Sequence, residues 1–201
     1  MKASAHAHCQ KLVAQLWFSW RLNSQDDGLN KAIRKLPQAF KLHAIPARRR
    51  IGGILAFWRD DRFRLDVVHV GRQAFAAAIT EEDNKPWIFV GAYASTDRIE
   101  RRELWKSLGK LNSIGLPVCF IGDYYVLLSA SEKRGSPFTG DQDVQEFRDF
   151  LIRNGLMDMG HVGPSFTWAN MQSCERMDML GNNLYALTPN VVNSGTPSRP
   201  S

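Results

Sequence analysis

Three residues that end short apolar runs carry side chains suited to chemistry on a phosphate ester. Asp123 closes the apolar stretch within Pro117 to Tyr125, PVCFIGDYY; Asp178 closes Arg176-Met177-Asp178; Tyr93 closes the run that begins at Trp87. A carboxylate at the C-terminal tip of a buried strand is costly unless it is hydrogen-bonded or faces a polar cleft, so Asp123 leads the candidates. If the three tips lie on one rim, they supply two carboxylates and a phenol around a shared cleft. Such a set suits phosphodiester hydrolysis, in which a divalent metal neutralises the phosphate and a carboxylate orients the attacking water. Taken singly, each acid also reads as a turn cap or a surface group.

Other chemistries find less support. His6, His8 and Cys9 lack a second ligand pair at zinc spacing. No Gly-rich loop leads into a helix with a following Lys, which argues against a nucleotide-binding P-loop. Ser129, Ser131 and Ser136 follow Asp123 without a nucleophile elbow. His69 and His161 sit beside apolar residues and read as packing or surface histidines. Cys9, Cys119 and Cys174 are scattered and odd in number, which fits a reducing compartment and predicts no disulfide framework.

The elements that must position the three tips are legible from Ile51 onward. Short apolar runs at Gly52 to Trp58, Arg64 to Val70, Gln73 to Thr80 and Trp87 to Tyr93 read as strands, with Asp60-Asp61 and Gly71-Arg72 as turns. Their close spacing predicts antiparallel pairing. Ser95, Thr96 and Asp97 offer N-caps for a helix to about Ser113, with Leu104, Trp105, Leu108 and Leu111 on one face. A strand over Val118 to Ile121 then leads to Asp123. Asp141 caps a second helix, on which Val144, Phe147, Phe150 and Leu151 share a face, and Gly155 ends it. Ser165 to Ala169 and Arg176 to Leu180 read as short strands, and the sequence after Thr188 as a disordered tail. In the first fifty residues, Leu12, Leu16, Trp20 and Leu22 suggest a helical face, and Gly28 to Phe40 a second one interrupted by Pro37. Hairpins mixed with helices that link strands predict an α/β or α+β sandwich with mixed sheets.

The 201 residues, 44% of them hydrophobic, suffice for one full domain or a piece of a larger one. No apolar run approaches the ~18 residues of a spanning helix, so the chain reads as neither membrane-bound nor secreted, with a nuclear or cytoplasmic location. The net charge of +6 is unevenly spread: residues 1–50 hold ten Lys+Arg against two Asp+Glu, net +8, and the remainder is net −2. A basic segment of this kind, densest at Arg48, Arg49 and Arg50, either follows a nucleic-acid backbone through charge or forms a solvated arm.

Seven segments in order carry a resemblance: GGILAFW at 52–58, Tyr93-Ala94, Arg102 to Leu108 with Leu104-Trp105, IGD at 121–123, SEKRG at 131–135, GPSFTWAN at 163–170 and RMDML at 176–180. Together they resemble the endonuclease/exonuclease/phosphatase superfamily, in the version carried by plant LINE-type non-LTR retrotransposons. The resemblance covers roughly Arg49 to Asn183. It implies a DNase I-like sandwich, two mixed sheets face to face with helices outside, partial in this chain. It also implies an ancestral Mg²⁺-dependent endonuclease that nicks DNA, with no small-molecule cofactor. Tyr93 matches the tyrosine that contacts the scissile phosphate, Asp123 the aspartate that helps activate water or stabilise the leaving group, and Asp178 the aspartate that orients a catalytic histidine.

The departures from that pattern shape the functional expectation. The family's Gly-Asp-Phe-Asn is here Gly122-Asp123-Tyr124-Tyr125, so Tyr125 stands in for the active-site asparagine. Residues 1–50 match neither the first family strand, with its asparagine, nor the next, with the metal-binding glutamate, and no closing Ser-Asp-His follows Asp178. The expected organisation is a basic, poorly matched segment over 1–50, a partial nuclease-like domain over 51–185 and a tail over 186–201. The expected function is a retroelement-derived, catalytically inactive remnant of a DNA endonuclease. The alternatives are non-catalytic nucleic-acid binding through the basic segment and weak metal-dependent nicking.

Overall fold

The computed structural model describes residues 16–22, 40–45, 53–59, 61, 63–81, 85–138, 141–158, 166, 168–169, 174–176 and 178–182. Twelve strands and two α-helices lie in these residues. In chain order they are β1 (Leu16–Leu22), β2 (Phe40–Ile45), β3 (Gly53–Arg59), β4 (Arg64–Val70), β5 (Ala74–Thr80), β6 (Trp87–Tyr93), α1 (Arg98–Gly109), β7 (Val118–Asp123), β8 (Lys133–Arg134), α2 (Gln142–Arg153), β9 (Met157–Asp158), β10 (Trp168–Ala169), β11 (Cys174–Glu175) and β12 (Asp178–Asn182). The main sheet has the order β4-β5-β6-β7-β12-β9; a second sheet has the order β1-β3-β2, and a small third one β10-β11-β8.

The main sheet is mixed because β6 and β7 run parallel while its other neighbours are antiparallel. A parallel pair needs a crossover, and α1 with the 3₁₀ turn Lys110–Ile114 supplies it. Asp97 caps α1 by accepting from the amides of Ile99 and Glu100, and Asp141 caps α2 by accepting from those of Asp143 and Val144. Gly115 ends the 3₁₀ turn with a left-handed backbone.

Alternation along β6 and β7 divides the core into two layers. Ile88, Val90, Ala92, Val118 and Phe120 face α1 and α2, where they meet Leu104, Leu108, Phe147 and Phe150. Phe89, Tyr93 and Cys119 face the opposite way, onto Ile54, Ala56 and Trp58 of β3. The molecule is thus a helix layer, a mixed sheet and a facing sheet, in which a period of two in the strands meets a period of 3.6 in the helices.

Two expectations need correction. The segment read as helical around Leu16 to Leu22 is strand β1, and β2 begins at Phe40, so residues within 1–50 form both flanks of β3. Five of the seven positions of LWFSWRL are bulky and apolar, a pattern that fits either period, and pairing to β3 decides it. Second, β3 and β4 do not form a hairpin despite their short connection: β3 is the buried centre of one sheet and β4 the largely exposed edge of the other. His6, His8, Cys9, Arg48, Arg49, Arg50, His161, the second N-terminal helical stretch up to residue 39 and the tail over 186–201 lie outside the described residues.

Candidate functional site

The register of the main sheet brings the three candidate tips together. Tyr93 on β6 is the direct partner of Asp123 on β7, and Asp178 on β12 is the partner of Asp123 from the other side. Residues in register share a face, so Tyr93 and Asp123 lie side by side at the end of the sheet on the side of β3, and Asp178 holds the next register position in the row. Gly122 allows the close approach: a Cβ there would fall 2.0 Å from the Ala92 carbonyl oxygen, inside any tolerable contact. The Ala94 amide then donates to the Asp123 carbonyl at 2.8 Å, extending the β6–β7 ladder past the strand ends.

Asp123 is 1% exposed and Tyr93 8%, so at these two positions the edge is buried rather than open. Beyond Asp123 the chain turns sharply. The Tyr125 amide donates to Asp123 Oδ1 at 3.2 Å, an Asx turn, and Tyr125 adopts φ 52, the single positive φ outside glycine among the described residues. Its hydroxyl lies 3.4 Å from that of Tyr93, with ring centroids 6.0 Å apart. Tyr124 points to the opposite layer, stacked on Phe147 and tilted against Trp105. Burial pushes its phenol pKa well up, with a smaller contribution from Cys119, and its hydroxyl has no hydrogen-bond partner among the described residues.

Two supports of this rim escape a sequence reading. Gln73 is buried: its carbonyl accepts from the Tyr93 amide at 2.8 Å, its Oε1 from the Ser95 amide at 2.6 Å, and its Nε2 donates to the Glu100 carbonyl at 2.8 Å. Arg176, two residues before Asp178, reaches Glu132 at 2.9 Å through Nη1 and Asp158 at 2.7 Å through Nη2, while its amide donates to the Glu132 carbonyl. This nearly buried ion cluster anchors the start of β12. The available signal was the complementary charge of SEKRG and RMD, but nothing in the sequence gives their proximity.

The magnesium ion implied by the resemblance calls for six oxygen ligands in near-octahedral array, several of them water. The described groups do not fit it. Asp123 contributes one buried carboxylate whose Oδ1 already accepts the Tyr125 amide, the neighbouring oxygens are phenolic, and no group of three His, Cys, Asp or Glu side chains converges among the described residues.

No protein-family model matches the sequence, and no curated protein matches it. Solved structures do. A 3′-5′ exonuclease, NExo, from Neisseria meningitidis aligns with TM-score 0.61 and 15% identity over 88% of this chain and 80% of that one. The human Nocturnin catalytic domain aligns with TM-score 0.54 and 12% identity over 90% and 74%, respectively. The endonuclease domain of TRAS1, a telomere-specific non-LTR retrotransposon, aligns with TM-score 0.53 and 15% identity over 80% and 79%. The chain carries the fold of the endonuclease/exonuclease/phosphatase proteins, a partial DNase I-like sandwich with flanking helices.

Proposed function

We propose that the chain is a retroelement-derived protein on a nuclease fold whose former reaction edge no longer hydrolyses phosphodiesters. The observation that carries this reading is Tyr125: a tyrosine in a left-handed turn, its hydroxyl against Tyr93, beside a carboxylate that is 1% exposed. Hydrolysis needs an oriented water and a preorganised contact to the developing charge. A phenol offers one rotating hydroxyl where the family's asparagine offers a donor and an acceptor on a short arm. Loss of one such contact costs on the order of 10²-fold to 10³-fold in rate. The similarity to a retrotransposon endonuclease domain supports the retroelement origin, as do the ordered LINE-like segments.

Supercoiled plasmid incubated with the full chain and Mg²⁺ or Mn²⁺ is expected to stay unnicked. Nicking that Asp123→Asn abolishes would overturn the proposal. The net +8 of residues 1–50 favours a second reading, non-specific duplex DNA binding without catalysis. Its signature is an affinity that falls steeply with salt; binding that ignores salt, or none at low salt, removes it.

A further inference from the structure

Asp123 has a structural task at this edge. Its Oδ1 receives the Tyr125 amide at 3.2 Å, and the turn so closed holds Tyr125 at φ 52. That conformation is unfavourable for a residue with a Cβ and is uncommon outside glycine, asparagine and aspartate. A strained residue persists only where its surroundings over-determine it. Here the Asx turn fixes the Tyr125 backbone, Tyr93 meets its hydroxyl at 3.4 Å, and the preceding Tyr124 is fully buried and stacked on Phe147. The ring of Tyr125 packs against the layer between the sheets.

We infer that Asp123 is a turn-forming residue and that Tyr125 seals this edge against divalent cations. The inference rests on the reading of the row Tyr93, Asp123 and Asp178 as the former reaction edge of a nuclease. A hard cation such as Mg²⁺ dehydrates reluctantly, retains several waters and takes near-ideal octahedral geometry, so beside a carboxylate it requires open volume for its water shell. Asp123 is 1% exposed and Tyr93 8%, so an ion reaches this carboxylate only by shedding its water shell. The turn that Asp123 Oδ1 closes holds Tyr125 over this edge with its hydroxyl against Tyr93, and that cover is what keeps a hydrated ion out.

The test is a Mn²⁺ titration of the full chain, read by loss of the free-ion paramagnetic resonance signal, with plasmid nicking measured in the same samples. The expected result is no saturable binding up to about 1 mM, the weak end of protein divalent-cation sites, or an isotherm that Asp123→Asn leaves unchanged. Stoichiometric binding removed by Asp123→Asn overturns the inference; if the plasmid is still intact, the inactive-nuclease reading survives. Nicking without such binding overturns that reading alone. A thermal melt addresses the turn separately. Asp123→Asn keeps an acceptor for the Tyr125 amide and is expected to hold the wild-type midpoint, whereas Asp123→Ala lowers it. An asparagine variant as destabilised as the alanine one would overturn the turn-forming role.

Discussion

Tyr124 buries a hydroxyl that meets no hydrogen-bonding group among the described residues, in an apolar cluster whose other aromatic members are Trp105, Phe147, Phe150 and Phe120. A buried, unsatisfied polar group costs about 1–3 kcal/mol, so Tyr124→Phe is expected to stabilise the chain on that scale, seen as a higher thermal midpoint. An unchanged midpoint would mean that the hydroxyl is satisfied. Gly122 is the opposite case. With the Ala92 carbonyl oxygen 2.0 Å from where a Cβ would stand, Gly122→Ala must force β6 and β7 apart, at the upper end of the roughly 1–3 kcal/mol that overpacking costs. Denaturant unfolding of that variant is expected to show a much lower midpoint. At this scale the sequence was informative in part. Tyr93, Asp123 and Asp178 stand out as acids and a phenol that end apolar runs. Their alignment does not, because register depends on hydrogen bonds between strands distant in sequence. The left-handed turn at Tyr125 was equally hidden, since the Asp that forms it reads first as a candidate for chemistry.

The two helices are locked by charge as well as by packing. Glu146 lies among Arg98 and Arg102, and Arg101 bridges the Ser95 carbonyl and Asp143. Hydrogen bonds from Arg102 and then Arg98 hold the Glu146 carboxyl at about 2, below its ordinary 4.5. Because the folded value is depressed, its stabilising effect is complete above about pH 4.5 and is lost as pH falls towards 2. Removing the charge with Glu146→Gln is expected to lower stability at neutral pH by about 1 kcal/mol, the scale of a partly exposed ion-pair network. It is also expected to flatten the loss of stability between pH 4.5 and 2 in acid titrations followed by circular dichroism. An acid profile identical to wild type would contradict this assignment. These helices were legible because Asp97 and Asp141 are strong caps and because Leu104, Leu108, Phe147 and Phe150 recur at helical spacing. Strand β1 was not, because Leu16, Trp20 and their neighbours satisfy more than one period until β3 is beside them.

For the molecule as a whole, the part of the chain that matched the family least contributes to the sandwich. Strands β1 and β2 flank β3, whose Ile54, Ala56 and Trp58 fill the layer between the sheets. A chain starting at residue 51 would leave β3 with two open edges, so it is expected to lose cooperative unfolding and to bind hydrophobic dyes. A sharp urea transition for that fragment would show that the first fifty residues are dispensable. The row at the end of the main sheet also has an order of assembly. On its β12 side, β7 is completed only by residues 178–182, while its β6 partner precedes it. During synthesis at about 5–20 residues per second, the apolar edge at Cys119 and Phe120 therefore waits several seconds for its neighbour, the interval in which a nascent chain is most exposed to chaperones or to misassociation.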